Sequence, residues 1–428
     1  MKINWFAPLP PAKSGIADYT LGILPYLSEK AHVALWTDQA TWEPALEQYA
    51  SIQQYRPDRI DWLAVNQADL SFYNIGNNHR FHASIWQVSR QSPGIVVLHD
   101  LRLHDFFETL YRGQWRDEGG YLAQMQACYG DEGLKAAAEF VSSERPDYDA
   151  MAKRFPLTAL ALENCLGALV HTSEAFADLR SANRWPVVYA PLPFSGTLHD
   201  RRGKPNEPYH LIVFGHIGRN RRLAALLQAL SLLTEKDRFH LDIYGEIDDP
   251  KSLRDRIREL NLKRSVTVHG YVPPGELDQA LAASSLAINL RYPTMGEASA
   301  SQLRIWEHAL PTLVTRVGWY ASLPENVVAH VDPEREVEDI KSHLESFLDD
   351  PDRFARMGEQ GLRFLEREHH PEAYVKTIIS LALDAEQFHL RKSAYDLARR
   401  SGALMGSWCN ESGDSPERIA RAIHKLLG

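Results

Sequence analysis

One stretch of the chain, Arg291-Tyr292-Pro293-Thr294-Met295-Gly296-Glu297-Ala298-Ser299-Ala300-Ser301, sets a carboxylate among small and hydroxyl residues, just ahead of the amphipathic segment SQLRIWEHAL. Small residues at a helix start leave backbone N–H groups open to an anion. A carboxylate beside such a cradle is out of place unless it faces the uncharged part of a ligand, such as a sugar. Glu297 is therefore the leading candidate for chemistry, and a glutamate that merely complements the helix dipole is the plainer alternative. A second stretch, Gly215-His216-Ile217-Gly218-Arg219-Asn220-Arg221-Arg222, crowds three arginines where a helix would begin. Cations there oppose the macrodipole at about 0.3 to 1 kcal/mol each unless an anion intervenes, which points to a diphosphate over a solvated basic turn.

Five further stretches carry polar groups at the ends of apolar runs. Pro10-Pro11-Ala12-Lys13-Ser14-Gly15-Ile16-Ala17-Asp18-Tyr19 turns the chain and opens a helix. Gly15 would let backbone N–H groups approach a phosphate, or Ser14 would simply cap a tight turn. Leu98-His99-Asp100, with His104 beyond it, ends another run, and His99 there can exchange a hydrogen bond with a sugar hydroxyl near neutral pH. Asn74-Ile75-Gly76-Asn77-Asn78 offers amides for hydroxyls or for holding its own loop. Gly245-Glu246 and His269-Gly270-Tyr271-Val272-Pro273 suit a flat base lying against backbone, or plain turns.

The elements that must position these residues are short apolar runs alternating with amphipathic stretches. KINWFA, HVALW, LSFYNI, GIVVLH and ALVHT come first; HLIVFG, FHLDIYG, SVTVHG, SLAINL and TLVTR follow a proline-rich stretch. Such alternation is the sign of βαβ units on a parallel sheet, and here it occurs twice. The pattern predicts an α/β chain with a domain over 1–190, a linker over 191–208, a second domain over 209–370, and helices over 371–428 that pack back on the first domain. In open α/β sheets ligands lie beyond the carboxyl ends of strands, which is where all these stretches fall.

Bulk properties narrow the classes. At 428 residues the chain exceeds one compact core, so two lobes and a cleft are expected. Hydrophobic residues at 44% and charged residues at 24% are ordinary globular values. The opening residues MKINWFAPLPP lack the apolar core of a secretory signal, so a cytoplasmic site is expected. Cys128, Cys165 and Cys409 form no CxxC pair and are expected to be reduced. A net charge of −9 gives no footprint for nucleic acid.

Together, the stretches PLPPAKSGIADY, YNIGNN, PGIVVLHD, RYPTMGEAS and VGWYASLPENVV, in this order, resemble the GT-B glycosyltransferases of family 4, over most of residues 1–390. These are retaining enzymes that use nucleotide sugars. The resemblance implies two Rossmann-like α/β/α domains facing a central cleft, with the first on the acceptor side and the second binding the donor. It implies catalytic roles for Glu297, His99 and Arg221, the last replacing the usual lysine at the diphosphate. Donor contacts would come from Gly15, Arg219, Gly245, Tyr271, Ala298, Ser299 and Ala300, and acceptor-side contacts from Asp18, Asn77 and Asp100. The implied partners are a nucleotide-sugar donor and a glycan or lipid-linked acceptor in polysaccharide assembly, with peripheral contact to the inner face of the membrane.

Two positions depart from the family pattern. Members usually carry a second glutamate eight residues after the first, but Ile305 stands there, Glu307 is ten beyond, and Arg304 falls near the expected place when counted back from Pro311. His216 stands where an arginine is common, leaving Arg219 and Arg221 for the leaving-group charge. A catalytically silent sugar-binding or scaffolding protein is the competing class. No cofactor or metal is expected, because the sole notable Asp-x-Asp, Asp147-Tyr148-Asp149, reads as an exposed loop away from any strand. No GxGxxG follows a strand and no GxxxxGK[ST] occurs, which argues against a dehydrogenase and an ATPase.

Overall fold

The computed structural model describes residues 1–199 and 206–408; Cys409 and the rest of the expected C-terminal segment lie outside the described residues. The first domain is built on seven strands: β1 (Lys2–Phe6), β2 (His32–Thr37), β3 (Ser51–Gln54), β4 (Leu70–Ile75), β5 (Ile95–Leu98), β6 (Gly167–Val170) and β7 (Val187–Tyr189). They pair in parallel in the order β3-β2-β1-β4-β5-β6-β7. The central strand β4 is buried at every position, as a strand covered on both faces by helices must be. Polar Asn4 survives inside because its amide donates to Val65 O and Ser71 Oγ while its oxygen accepts from Trp36 Nε1.

The second domain holds β8 (Tyr209–Phe214), β9 (Phe239–Tyr244), β10 (Val266–Gly270), β11 (Leu286–Asn289), β12 (Thr312–Thr315) and β13 (Ala329–Val331). Their order is β10-β9-β8-β11-β12-β13, again all parallel. In each sheet the strand order reverses once, between β1 and β4 and between β8 and β11. Ligand crevices of open sheets form at such reversals.

The chain crosses between domains twice, and the crossings are tied together. His369 Nδ1 donates to Leu192 O at 2.6 Å, and Phe194 N donates to His369 O at 2.9 Å. Beyond the second crossing, the helix Pro371–Leu383 lies on the first-domain helix Gly15–Ser28, where the Tyr374 and Tyr19 hydroxyls share a hydrogen bond of 2.5 Å. Tyr374, Val375 and Ile378 join the same apolar core as Ile23 and Leu27. The helix Ala385–Trp408 follows. Asp147-Tyr148-Asp149 is not a loop: Asp147 caps the helix Tyr148–Arg154, its carboxylate accepting from Ala150 N at 3.0 Å.

Candidate active site in the interdomain cleft

The two strand-order reversals face one another across a cavity of about 410 Å³, with Gly15, His99 and Asp100 on the first-domain wall and Arg291, Glu297 and Ala298 on the second. Asn77 and Ala300 also line it.

In the second domain, behind the cavity wall, Arg221 is buried, 6% exposed, and is not among the residues lining the cavity. Its Nη1 donates to Asn289 Oδ1 at 2.8 Å and its Nε to His216 O at 3.3 Å. Both partners are neutral. Burial, with the charge of Arg291 nearby, lowers its pKa to about 9. A guanidinium desolvated without a paired carboxylate leaves an electrostatic need that an anion would satisfy. Room for it depends on Gly215, whose φ is +103° and whose added Cβ would lie 2.8 Å from Arg221 Nη2.

Asn289, the last residue of β11, also donates to Ser299 Oγ at 3.4 Å and to Gln302 Oε1 at 3.0 Å. Ser299 caps the helix Ala300–Glu307 by accepting from Gln302 N at 3.1 Å. One amide thus fixes both the buried cation and the helix start. Asn289 was not singled out in the sequence, although its place at the end of the run SLAINL was the available signal.

Glu297 is held before that helix. Its Oε2 accepts from Thr294 Oγ1 and from Met295 N, both at 2.7 Å, and its Oε1 lies 3.5 Å from Arg291 Nε. The loop carrying it is docked on the first domain: Arg102 N donates to Met295 O at 2.8 Å, Arg102 Nη1 to Thr294 O at 3.0 Å, and Thr172 Oγ1 to Gly296 O at 3.3 Å.

On the first-domain wall, His99 Nε2 donates to Asn74 Oδ1 at 3.0 Å, because the Asn74 amide is spent on Phe6 O and leaves only its oxygen facing the ring. Burial holds His99 well below the usual histidine range, so the ring is neutral and its Nδ1 is an acceptor. His171, a residue that the sequence reading passed over, also lines the cavity; its Nδ1 donates to Ala190 O at 3.1 Å and its Nε2 has no partner. Asp100 Oδ2 accepts from Asn77 N at 2.7 Å, and Asn77 Oδ1 accepts from Phe106 N at 3.0 Å, so Asn77 braces its own loop as well as facing the cavity. Burial, then the negative charge of Glu297, push Asp100 up to about 7. An added Cβ on Gly15 would meet nothing within 4 Å, so its backbone stands open to the cleft.

Other expected residues sit elsewhere. Arg219 is turned outward, 82% exposed, and pairs with Asp149 of the first domain. Asp18 is exposed on the helix Gly15–Ser28, near enough to Arg304 of the helix Ala300–Glu307 to feel its charge. Tyr271 is 60% exposed, with Lys13 Nζ 4.1 Å above its ring, and it spans the mouth of the cleft. Gly245 has φ +122°, and an added Cβ would come within 1.8 Å of Gly215 O, so the two strand ends meet only because residue 245 is a glycine. Arg304 is occupied by Asp278 Oδ1 at 2.7 Å, while Ile305 points into an apolar cluster.

Residues 195–364 match the sequence model of the family described as glycosyl transferases group 1. Solved structures share the arrangement of both domains. HepE of Anabaena, in complex with UDP and glucose, superposes with a TM-score of 0.61 at 13% identity, covering 90% of this chain and 100% of its own. Sucrose-phosphate synthase from Thermosynechococcus elongatus gives 0.61 at 15% identity, covering 89% and 98%. A glycosyltransferase from Rickettsia africae gives 0.60 at 10% identity, covering 90% and 98%. The chain has the GT-B fold. Within that fold, the second domain is the part similar to the group 1 glycosyl transferases. No curated protein matches the sequence as a whole. Within the GT-B frame, Glu297 stands on the second-domain wall, with Arg221 and the Ser299 cap behind it, opposite His99 and Asp100. Among the described residues no helix is long and apolar enough to cross a membrane.

Proposed function

We propose that this chain is a retaining glycosyltransferase that moves a hexose-type sugar from a nucleotide-sugar donor to a hydroxyl acceptor. The observation that carries this reading is Glu297 on the cavity wall, just ahead of the helix Ala300–Glu307, at whose start the buried Arg221 is held by neutral oxygens through Asn289. Cation and helix terminus together suit a diphosphate, and the carboxylate suits the sugar attached to it. In the reaction, the bond from the anomeric carbon to the phosphate oxygen breaks and the bond to the acceptor oxygen forms on the same face. The acceptor proton passes to the departing phosphate oxygen. Arg221 and the helix N–H groups stabilise the charge that develops on the diphosphate, and no metal ion is assigned to that step. Glu297 orients the sugar and offsets positive charge at the anomeric carbon. His99, fixed as a neutral acceptor at Nδ1, takes a hydroxyl proton in a hydrogen bond.

HepE, whose complexes hold UDP with glucose and UDP-glucose, supports a uridine diphosphate donor as the first to try. A glycan or lipid-linked acceptor, and a cytoplasmic site with peripheral contact to the inner membrane face, complete the proposal. An intact Arg221–Asn289–Ser299 arrangement favours an active enzyme over a silent scaffold. The test is thermal stabilisation by UDP-, GDP- and dTDP-sugars without added metal, followed by sugar release for any hit. One nucleotide class should stabilise the chain and turn over, and Glu297→Ala should keep the Tm while turnover collapses. Stabilisation without turnover under any acceptor would instead support the scaffold.

A further inference from the structure

A second cluster of ligand-type side chains lies outside the cleft, where the helix Pro274–Ala283 meets the end of the helix Ala300–Glu307. Asp278, Glu307 and His308 each bring a ligand atom within 4.8 Å of the others. His308 is only 6% exposed, yet neither ring nitrogen has a hydrogen-bond partner; Nε2 stops 3.5 Å short of Asp278 Oδ1. An unpartnered imidazole aimed at two carboxylates from inside the protein is costly unless something binds there. Glu307 is buried as well, and burial with the charge of Asp278 pushes it up to about 7.

We propose that Asp278, Glu307 and His308 form a site for a divalent transition-metal cation of the zinc class, which fastens the interdomain linker to the second domain. The donor set fixes the class. Magnesium and calcium take oxygen ligands, whereas an imidazole with two carboxylates suits zinc. Zinc–ligand bonds of about 2.0 to 2.2 Å need donor atoms closer together than 4.8 Å, so the three groups draw in slightly on binding. Arg304 is the opposing charge in this neighbourhood. It holds Asp278 Oδ1, the same oxygen that faces His308 Nε2, at 2.7 and 3.0 Å, so a bound ion would share that oxygen with Arg304 or draw in Oδ2. Two carboxylates against one guanidinium leave a net negative charge for the ion. Asp278, with its side chain 43% exposed, forms the solvent opening through which an ion would pass.

The linker is wrapped over this cluster. His199 N donates to Glu307 O at 2.9 Å, and the His199 ring stacks on His308 with centroids 4.9 Å apart and planes at 12°. An added Cβ on Gly196 would lie 2.3 Å from Glu307 Oε1, so a glycine is what lets the linker run against the carboxylate. The fourth metal ligand is then a water, or His199 once it leaves its stack.

The test uses the full chain, without a histidine tag, stripped by chelator and dialysed against micromolar zinc in excess magnesium. The expected result is one zinc per chain by elemental mass spectrometry and a Tm raised by about 5 °C at saturation. Cobalt in place of zinc should give the intense visible bands of a four-coordinate ion. Asp278→Asn and His308→Gln should each weaken zinc binding by about 100-fold while the metal-free variants stay folded by circular dichroism. Less than about 0.1 equivalent of zinc, or stoichiometric zinc that persists in both variants, overturns the site. Because none of these residues lines the cleft, either result stands apart from donor binding.

Discussion

Arg221 carries a conflict between stability and function. Its guanidinium is buried against neutral oxygens, a placement that costs free energy in the absence of an anion. Replacing it by methionine should therefore leave the Tm unchanged or raised, while donor turnover falls by about 100-fold or more, the usual effect of losing one charge-stabilising donor. A variant that unfolds, or one that keeps full turnover, would remove this residue from the site. Asp100 gives a second expectation at this scale. Its folded pKa of about 7 lies above the value of about 3.9 for an unfolded aspartate, so the folded chain binds the extra proton between them. The stability it contributes is full below about pH 4 and is lost as pH rises through about 7. Glu307 and Asp105 are raised with the same sign, so the slope of the wild type alone does not isolate Asp100. The difference does: the Tm of Asp100→Asn minus that of the wild type should grow between pH 5 and pH 8, and a flat difference would show that Asp100 is not desolvated. Glu297 stands out in the sequence because a carboxylate precedes a helix start among small residues, whereas Arg221 is set apart from Arg219 and Arg222 only by its burial in the structure. Asn289 and His171 do not stand out, because nothing in an asparagine or histidine at a strand end reveals which carbonyl its other side will meet.

At the scale of elements, the apolar runs located ten of the thirteen strands, since strands buried on both faces read as continuous hydrophobic segments. The three outside those runs, β3, β7 and β13, are the short edge strands SIQQ, VVY and AHV. Edge strands carry less apolar sequence because one side lacks a pairing partner. The arginine-rich turn shows a different limit. Its three guanidiniums look equivalent in sequence, but Gly218 and the left-handed Arg222, at φ 54°, send them apart. Arg221 goes inward, Arg219 goes to Asp149, and Arg222 forms a forked pair with Glu336 at 2.5 to 2.9 Å. Spacing alone does not encode that divergence, which arises from one backbone conformation. Likewise the missing second glutamate is explained by the element around it: Ile305 belongs to the apolar face of its helix, and Arg304 is committed to Asp278.

For the whole molecule, what matters is how the two domains hold each other across the cleft. Beside the apolar cluster shared by both domains, three polar contacts across the cleft differ in worth. The Arg219–Asp149 pair is solvated and screened, so it is worth about 0 to 1 kcal/mol. Lys13 over Tyr271 is similarly exposed. Arg102 differs: it is largely buried, it is anchored by Glu174 at 2.6 Å, and it donates twice to the loop that carries Glu297. Gly296 completes the seat, since at φ +82° its added Cβ would meet Leu101 Cβ at 2.6 Å. Domain contact and placement of the proposed catalytic carboxylate are thus one interaction. Arg102→Ala should open the unliganded chain, seen as a larger radius of gyration in small-angle scattering. It should lower kcat by about tenfold or more while nucleotide affinity changes little, because Arg221 and the Ser299 cap lie wholly within the second domain. Asp149→Asn should change neither quantity at 150 mM salt. If the two variants behave alike, domain closure does not set the position of Glu297, and the loop holds its shape by the Thr294 and Met295 hydrogen bonds alone.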